Sequence, residues 1–335
     1  MFKRGGPLLC FLLLMQCTPA KDIVPFERTM IFMDTFFQVS IYDQDKPIDT
    51  LERIMHLTFD RIAFVDRIAN IYSDSSLISR VNREAAYSEV EIDTVLRQLI
   101  QASADISIIS GGAFDITIQS VERLWNFTPE HYCIPGDALL AYHLKWVNPR
   151  HVVLRNNRVT FTSPLVKIDL GGIAKGYAVD EAIGVLQRNG VTDALVNAGG
   201  NLRALCSDLT RGQRRVWIKH PRKLNELFGY FPMDAGCVST SGDYERYFIA
   251  DSVRYHHILD PRTGYPAWKC ISATVQAASA MMADALSTAV FVLGPKDGLV
   301  LLEELPKVEG VILFEEQGKI HWVVSSGLIE AFSVN

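Results

Sequence analysis

The chain has 335 residues, enough for one large domain or two modest ones with a sizeable core. Hydrophobic residues make up 48% and charged residues 21%, which excludes a disordered chain. The formal net charge of −5 argues against a general nucleic-acid binder, and it means that an anionic ligand would need a local cation to attract it.

Lys3 and Arg4 precede an apolar run from Leu8 to Met15, too short to span a bilayer but suited to a signal-peptide core over residues 1–16. Leu14-Met15-Gln16-Cys17 then resembles a lipoprotein processing box, with Cys17 as the lipidated first residue. Gln16 departs from the small residue usual there, and cleavage after Ala20 is the alternative. Residues 17–30 would be a tether and residues 31–335 the folded region. No second apolar stretch of about 18 residues is expected, which places the body outside the membrane core. Cys133, Cys206, Cys237 and Cys270 remain, without metal-type spacing, as either disulfides or buried thiols.

Alternation over Met33–Tyr42 predicts a strand, with Phe37, Val39 and Ile41 on one face. A helix follows, with Leu51, Ile54, Met55, Thr58, Ile62, Val65 and Ala69 on one side. A second helix carries Ile92, Val95, Leu96, Leu99, Ser103 and Ile106, and stops at Gly111-Gly112. Val152–Leu154 and Val159–Thr162 flank Asn156-Asn157 as a hairpin. Val166–Leu170 reads as a short strand, and Ala174–Gln187 as a helix ending at Asn189-Gly190. Strands are predicted at Ala194–Val196 and Ser272–Ala277, a helix at Ala280–Leu293, and a last hairpin around Gln317-Gly318. The mixed order points to an α+β fold with mostly antiparallel sheets and packed helices, not a Rossmann domain.

Five segments carry candidate chemistry. Asp169–Glu181 reads as strand, glycines and helix start, where free N–H groups and Lys175 would favour a phosphate; a plain tight turn is the alternative. Asp284 is the only charge between Val275 and Gly294, and Thr288 lies one turn further on the same face. A carboxylate and a hydroxyl suit Mg²⁺. Alternatively, Thr288 bonds back to its own helix and Asp284 meets a cation.

Tyr255–Pro266 carries His256 and His257 ahead of a turn. Adjacent strand residues face opposite ways, so at most one could serve a site as a general base. Thr240–Phe248 lacks the nucleophile-elbow pattern and reads as a ligand-lining or structural loop. In Gly111–Thr117, Phe114 could lie against a ring, as could Tyr72 on its own.

Together these segments resemble the FAD:protein FMN transferase (ApbE) family. The ordered set that carries the resemblance is Gly112–Asp115, Asp169–Glu181, Asn197–Asn201, Thr240–Tyr244, His257–Pro266 and Ala283–Ala285 with Thr288. The resemblance implies a T-fold-like catalytic region that moves FMN from FAD to a threonine or serine of another protein and releases AMP. It implies Mg²⁺ held by Asp284, Thr288 and the backbone carbonyl of Ala178. It implies flavin-nucleotide contacts from Met33, Tyr72, Ala113, Phe114, Asp115, Lys175, Glu181 and His256, and phosphoryl-transfer chemistry at His257. The implied partners are acceptor proteins of flavin-dependent membrane redox complexes. The implied location is the periplasm, on a lipid anchor in the inner membrane. Water in place of the acceptor would make the enzyme an FAD pyrophosphatase, and a flavin-binding lipoprotein without chemistry is the third reading. Asp34 and Asn70 stand where the family usually has glycine and serine.

Overall fold

The computed structural model describes residues 24–43, 45–127, 131–208 and 210–335; the expected signal segment and Cys17 lie outside the described residues. Eight strands form the main sheet: β1 (Phe26–Phe32), β2 (Thr35–Ile41), β3 (Ala194–Ala198), β4 (Asn201–Leu205), β5 (Gly236–Gly242), β6 (Ser272–Ala277), β7 (Glu309–Glu316) and β8 (Lys319–Val324). Their spatial order is their chain order, and every neighbouring pair is antiparallel. The α+β expectation holds.

Alternation along the strands divides the core in two. Phe37, Val39, Ala194, Val196, Ala273, Val275 and Ile312 face helices α1 (Ile48–Ala69), α2 (Thr94–Ile109), α3 (Ala174–Arg188) and α4 (Ala280–Glu304). Leu195, Leu202, Val238, Val311 and Leu313 face the other way. They pack on a three-stranded sheet built from Arg215–Lys219, Leu227–Pro232 and Ser333–Val334. Side chains of period two make both faces of the central strands apolar, so these are buried on both sides, while the edge strands β1 and β8 stay largely exposed.

Several expectations need correction. The expected tether over 17–30 already contributes β1 from Phe26, because its backbone pairs along the whole of β2. Val166–Leu170 is buried but is not a strand: the Asn82 side chain donates to the Ile168 carbonyl and accepts its N–H, both at 2.8 Å, standing in for a neighbouring strand. The expected loop at Thr240–Phe248 begins inside the sheet, since β5 runs to Gly242 between β4 and β6. Finally, Ala280–Glu304 is long and apolar enough to cross a membrane by composition, against the expectation that no such stretch exists. It is instead a core helix, mostly buried between the sheet and α3 and broken at Gly294, where φ is 89°, just before Pro295.

Candidate active site

A cleft of about 400 Å³ opens where the ends of these elements converge. Its walls come from the β1–β2 turn, the end of α1, the segment after α2, the start of α3, the β3–β4 turn, β5, the stretch around His257, and α4. Met33, Tyr72, Ala113, Phe114, Asp115, Lys175, His257, Asp284 and Thr288 all line it, as expected from separate positions along the chain.

Close helix packing builds its floor. A Cβ on Gly176 would lie 2.2 Å from the Ala280 carbonyl oxygen, so only glycine lets α3 and α4 approach this closely. That contact brings the Asp284 carboxylate to the start of α3, where Oδ2 accepts the Gly176 N–H at 2.9 Å. The sequence suggested that such N–H groups would face a phosphate; here Asp284 takes the one at Gly176. Asp284 Oδ1 lies 4.0 Å from Lys175 Nζ, beyond a direct hydrogen bond. Asp284 is 4% exposed, and burial pushes its carboxyl up, opposed chiefly by Lys175. The Thr288 hydroxyl makes only long contacts, 3.4 Å to the Asp284 carbonyl and 3.4 Å to Ser241 Oγ. Ser241 also bonds Ser287 at 2.9 Å, a hydroxyl cluster rather than a histidine-activated nucleophile.

His257 lines the cleft. Its Nδ1 lies 3.2 Å from the Arg246 carbonyl, which can only accept, so Nδ1 carries the proton and Nε2 keeps the lone pair. Burial, with the Arg246 charge behind it, pushes the imidazole down to about 3. His257 is therefore neutral at neutral pH.

The ring end of the cleft is set by local turns. Met33 and Asp34 both have positive φ, 48° and 56°, which accounts for the glycine usual at position 34 in the family that the sequence resembles. The Met33 N–H donates to Asp66 at 3.0 Å. Asn70 donates to the same carboxylate and accepts the Tyr72 N–H at 2.9 Å, which fixes the tyrosine at the cleft mouth. Both terminal nitrogens of Arg246 reach the Tyr72 hydroxyl at 3.2 Å.

Three expected residues lie away from the cleft. Ala178 is fully buried one turn inside α3, its carbonyl within the helical ladder, whereas Ala174 in the first turn does line the cleft. Glu181 projects from α3 to pair with Arg61. His256, the last residue of the strand Val253–His256, is 1% exposed and edge-on to Phe291, away from the cleft that His257 lines. Conversely, Glu122, Asp169, Asn201, Glu245 and Arg246 line the cleft without having been assigned roles. Nothing in the local pattern separates Glu122 or Arg246 from ordinary surface charges.

Fold and cleft together define a mixed α+β protein with one composite polar site, in which a buried carboxylate and a lysine face a neutral histidine. The chain belongs to the ApbE family, whose model matches residues 33–312. It is 30% identical over 332 residues to the FAD:protein FMN transferase of Treponema pallidum, covering 94% of this chain and 91% of that protein. Among solved structures, the ApbE protein from Thermotoga maritima superposes with a TM-score of 0.81 at 32% identity, covering 91% of this chain and 98% of that one. The apo flavinyl transferase ApbE of Pseudomonas stutzeri gives a TM-score of 0.80 at 28% identity, covering 92% and 96%.

Proposed function

We propose that this protein is a Mg²⁺-dependent FAD:protein FMN transferase. The observation that carries the reading is the meeting of Lys175, His257, Asp284 and Thr288, from three distant segments, in one cleft. Its relatives in Treponema pallidum, Klebsiella pneumoniae and Vibrio cholerae are FAD:protein FMN transferases, which is the same chemistry.

The donor set fits magnesium. No group of three or more His, Cys, Asp or Glu side chains suited to a metal occurs among the described residues. An ion here would therefore rest on one carboxylate, neutral oxygens, water and phosphate, which is the habit of Mg²⁺. Asp284 Oδ1 and Thr288 would hold it, and Asn201, whose buried Oδ1 has no hydrogen-bond partner among the described residues, lines the same cleft. Bound there, the ion would offset charge on the diphosphate.

The chain's own residues supply the rest. A threonine or serine hydroxyl of the acceptor attacks the FMN-side phosphorus of FAD, forming one P–O bond. The pyrophosphate P–O bond breaks, and AMP leaves with the bridging oxygen. His257 Nε2 takes the hydroxyl proton, and the Lys175 ammonium stabilises the phosphoryl charge. Cys17 would carry a lipid anchor, so that the enzyme works at the periplasmic side of the inner membrane on acceptor proteins of flavin-dependent redox complexes.

The test is incubation of FAD and magnesium with and without an acceptor peptide. Flavin fluorescence attached to the peptide, with equimolar AMP, is the expected result. Free FMN formed equally in both would identify a pyrophosphatase instead. Unchanged FAD would leave only a flavin-binding protein.

A further inference from the structure

The two oxygens of Asp284 have different neighbours. Oδ2 accepts the Gly176 N–H at 2.9 Å. Oδ1 lies 4.0 Å from Lys175 Nζ, and no other cationic side chain pairs with this carboxylate among the described residues. Asp284 is buried, so its charge needs a counter-charge close by, and the Lys175 ammonium is the chief group that favours the ionised form.

The ammonium is not locked against Oδ1. Lys175 Nζ also donates to the Gly171 carbonyl, in the glycine turn that precedes α3. At 4.0 Å its contact with Asp284 is one of charge and not a hydrogen bond. The Lys175 side chain is partly exposed and lines the cleft, as do Gly171, Gly172, Asp284 and Thr288. A flexible stem that ends in a compact charge can turn between anions inside one cavity. Asp169, the other cleft carboxylate that feels Lys175, already accepts the Gly171 N–H at 3.1 Å.

A divalent cation held by Asp284 and Thr288 would need this same Oδ1, because Oδ2 is taken. An ammonium and a dication at one oxygen repel each other, and the more so where water is scarce. One of them has to yield, and Lys175 can turn towards a phosphate while staying tethered to α3.

We propose that Lys175 is an exchangeable counter-ion of Asp284: a divalent cation displaces its ammonium from Oδ1, and the displaced charge passes to a phosphate of the dinucleotide. This deepens the flavin-transfer reading and rests on it. The exchange makes cation and dinucleotide bind as a couple. The cation alone leaves an ammonium beside it without an anion. The dinucleotide alone draws the ammonium away from a buried carboxylate. Each ligand removes the cost that the other meets, and the coupling is reciprocal.

The experiment is calorimetric titration of the full chain with magnesium and no nucleotide, at about pH 8 to limit competition from protons. Lys175→Met removes the competing charge and keeps the stem. It should bind magnesium alone about tenfold more tightly than wild type, a usual size for a coupling between two ligands. Lys175→Arg keeps the charge and should bind it as wild type does. Melting curves give the same comparison independently, since magnesium should raise the midpoint of Lys175→Met more than that of wild type. Equal or weaker magnesium binding by Lys175→Met would overturn the exchange, and so would an equal gain in Lys175→Arg, which would show that charge is not the cause. FAD binding by wild type with magnesium, followed by quenching of flavin fluorescence, separates the two readings. Normal quenching beside equal magnesium affinities removes the exchange alone, whereas no quenching removes the flavin reading and the hand-over to phosphate with it.

Discussion

Asp180 and Asp284 cap each other's helices. Asp180, on α3, accepts the backbone N–H groups of Ala280 at 3.0 Å and Met281 at 2.9 Å at the start of α4. Asp284, on α4, accepts that of Gly176 at the start of α3. Each carboxylate satisfies donors that the partner helix cannot, and each sits at the positive end of that helix's dipole. The element that supports the site is thus the mutual anchorage of two helices.

Removing one cap tests this directly. Asp180→Ala should lower stability by about 1–2 kcal/mol, since two N–H groups and Arg203 lose their partner. Urea denaturation measures it, and an unchanged midpoint would show that the capping contributes nothing.

The close approach makes a second demand. Gly176→Ala places a Cβ against backbone at Ala280 and 2.8 Å from Asp284 Cβ, so the helices must part. We expect a loss of roughly 1–3 kcal/mol from overpacking, seen as a lower thermal midpoint. A variant as stable as wild type would mean that α3 and α4 separate freely.

At Asp284, stability and function should move in opposite directions. Burial raises its folded carboxyl, so ionising it costs stability at neutral pH. Asp284→Asn should therefore melt no lower than wild type while Mg²⁺-dependent AMP release from FAD falls at least about 100-fold. Chromatographic assay of AMP beside a melting curve checks both halves; retained turnover would refute the metal assignment.

His257→Ala should slow transfer by about 10²–10⁴-fold. Because the folded imidazole is pushed down to about 3, it is already neutral throughout the neutral range. The initial-rate profile should then show no acidic limb at an ordinary histidine value. A limb near pH 6.5 that vanishes in the variant would contradict the lowered ionisation of His257.

His256 makes stability pH-dependent. Neither ring nitrogen has a hydrogen-bond partner of good geometry among the described residues, and burial, opposed by the Ala267 backbone, pushes the ring down to about 4. A folded value below the unfolded one means that stability is intact above the unfolded value and is lost as pH falls towards the folded one. Between about pH 7 and about pH 5, His256→Phe should reduce the loss by ~2 kcal/mol in urea denaturation. An identical pH slope in both proteins would show that the buried ring does not titrate as described.

Much of the framework was determined by the sequence alone. Apolar periodicity located α1, α2, α3 and α4 because one face of each must meet a core, and Asn156-Asn157 and Gln317-Gly318 located their hairpins because few residues tolerate those turns. The lone charge between Val275 and Gly294 and the paired histidines were visible too, since a charge in an apolar run and two adjacent histidines are local facts. Only the tertiary structure decided which of these residues meet. Ala178, Glu181 and His256 turn away, while Glu122 and Arg246 turn in, because the order of the sheet and the approach of α3 to α4 set those directions. Local pattern reports the environment of neighbours a turn or a strand apart. A cleft whose walls come from residues 33 to 288 is a property of packing, and no window of sequence contains it.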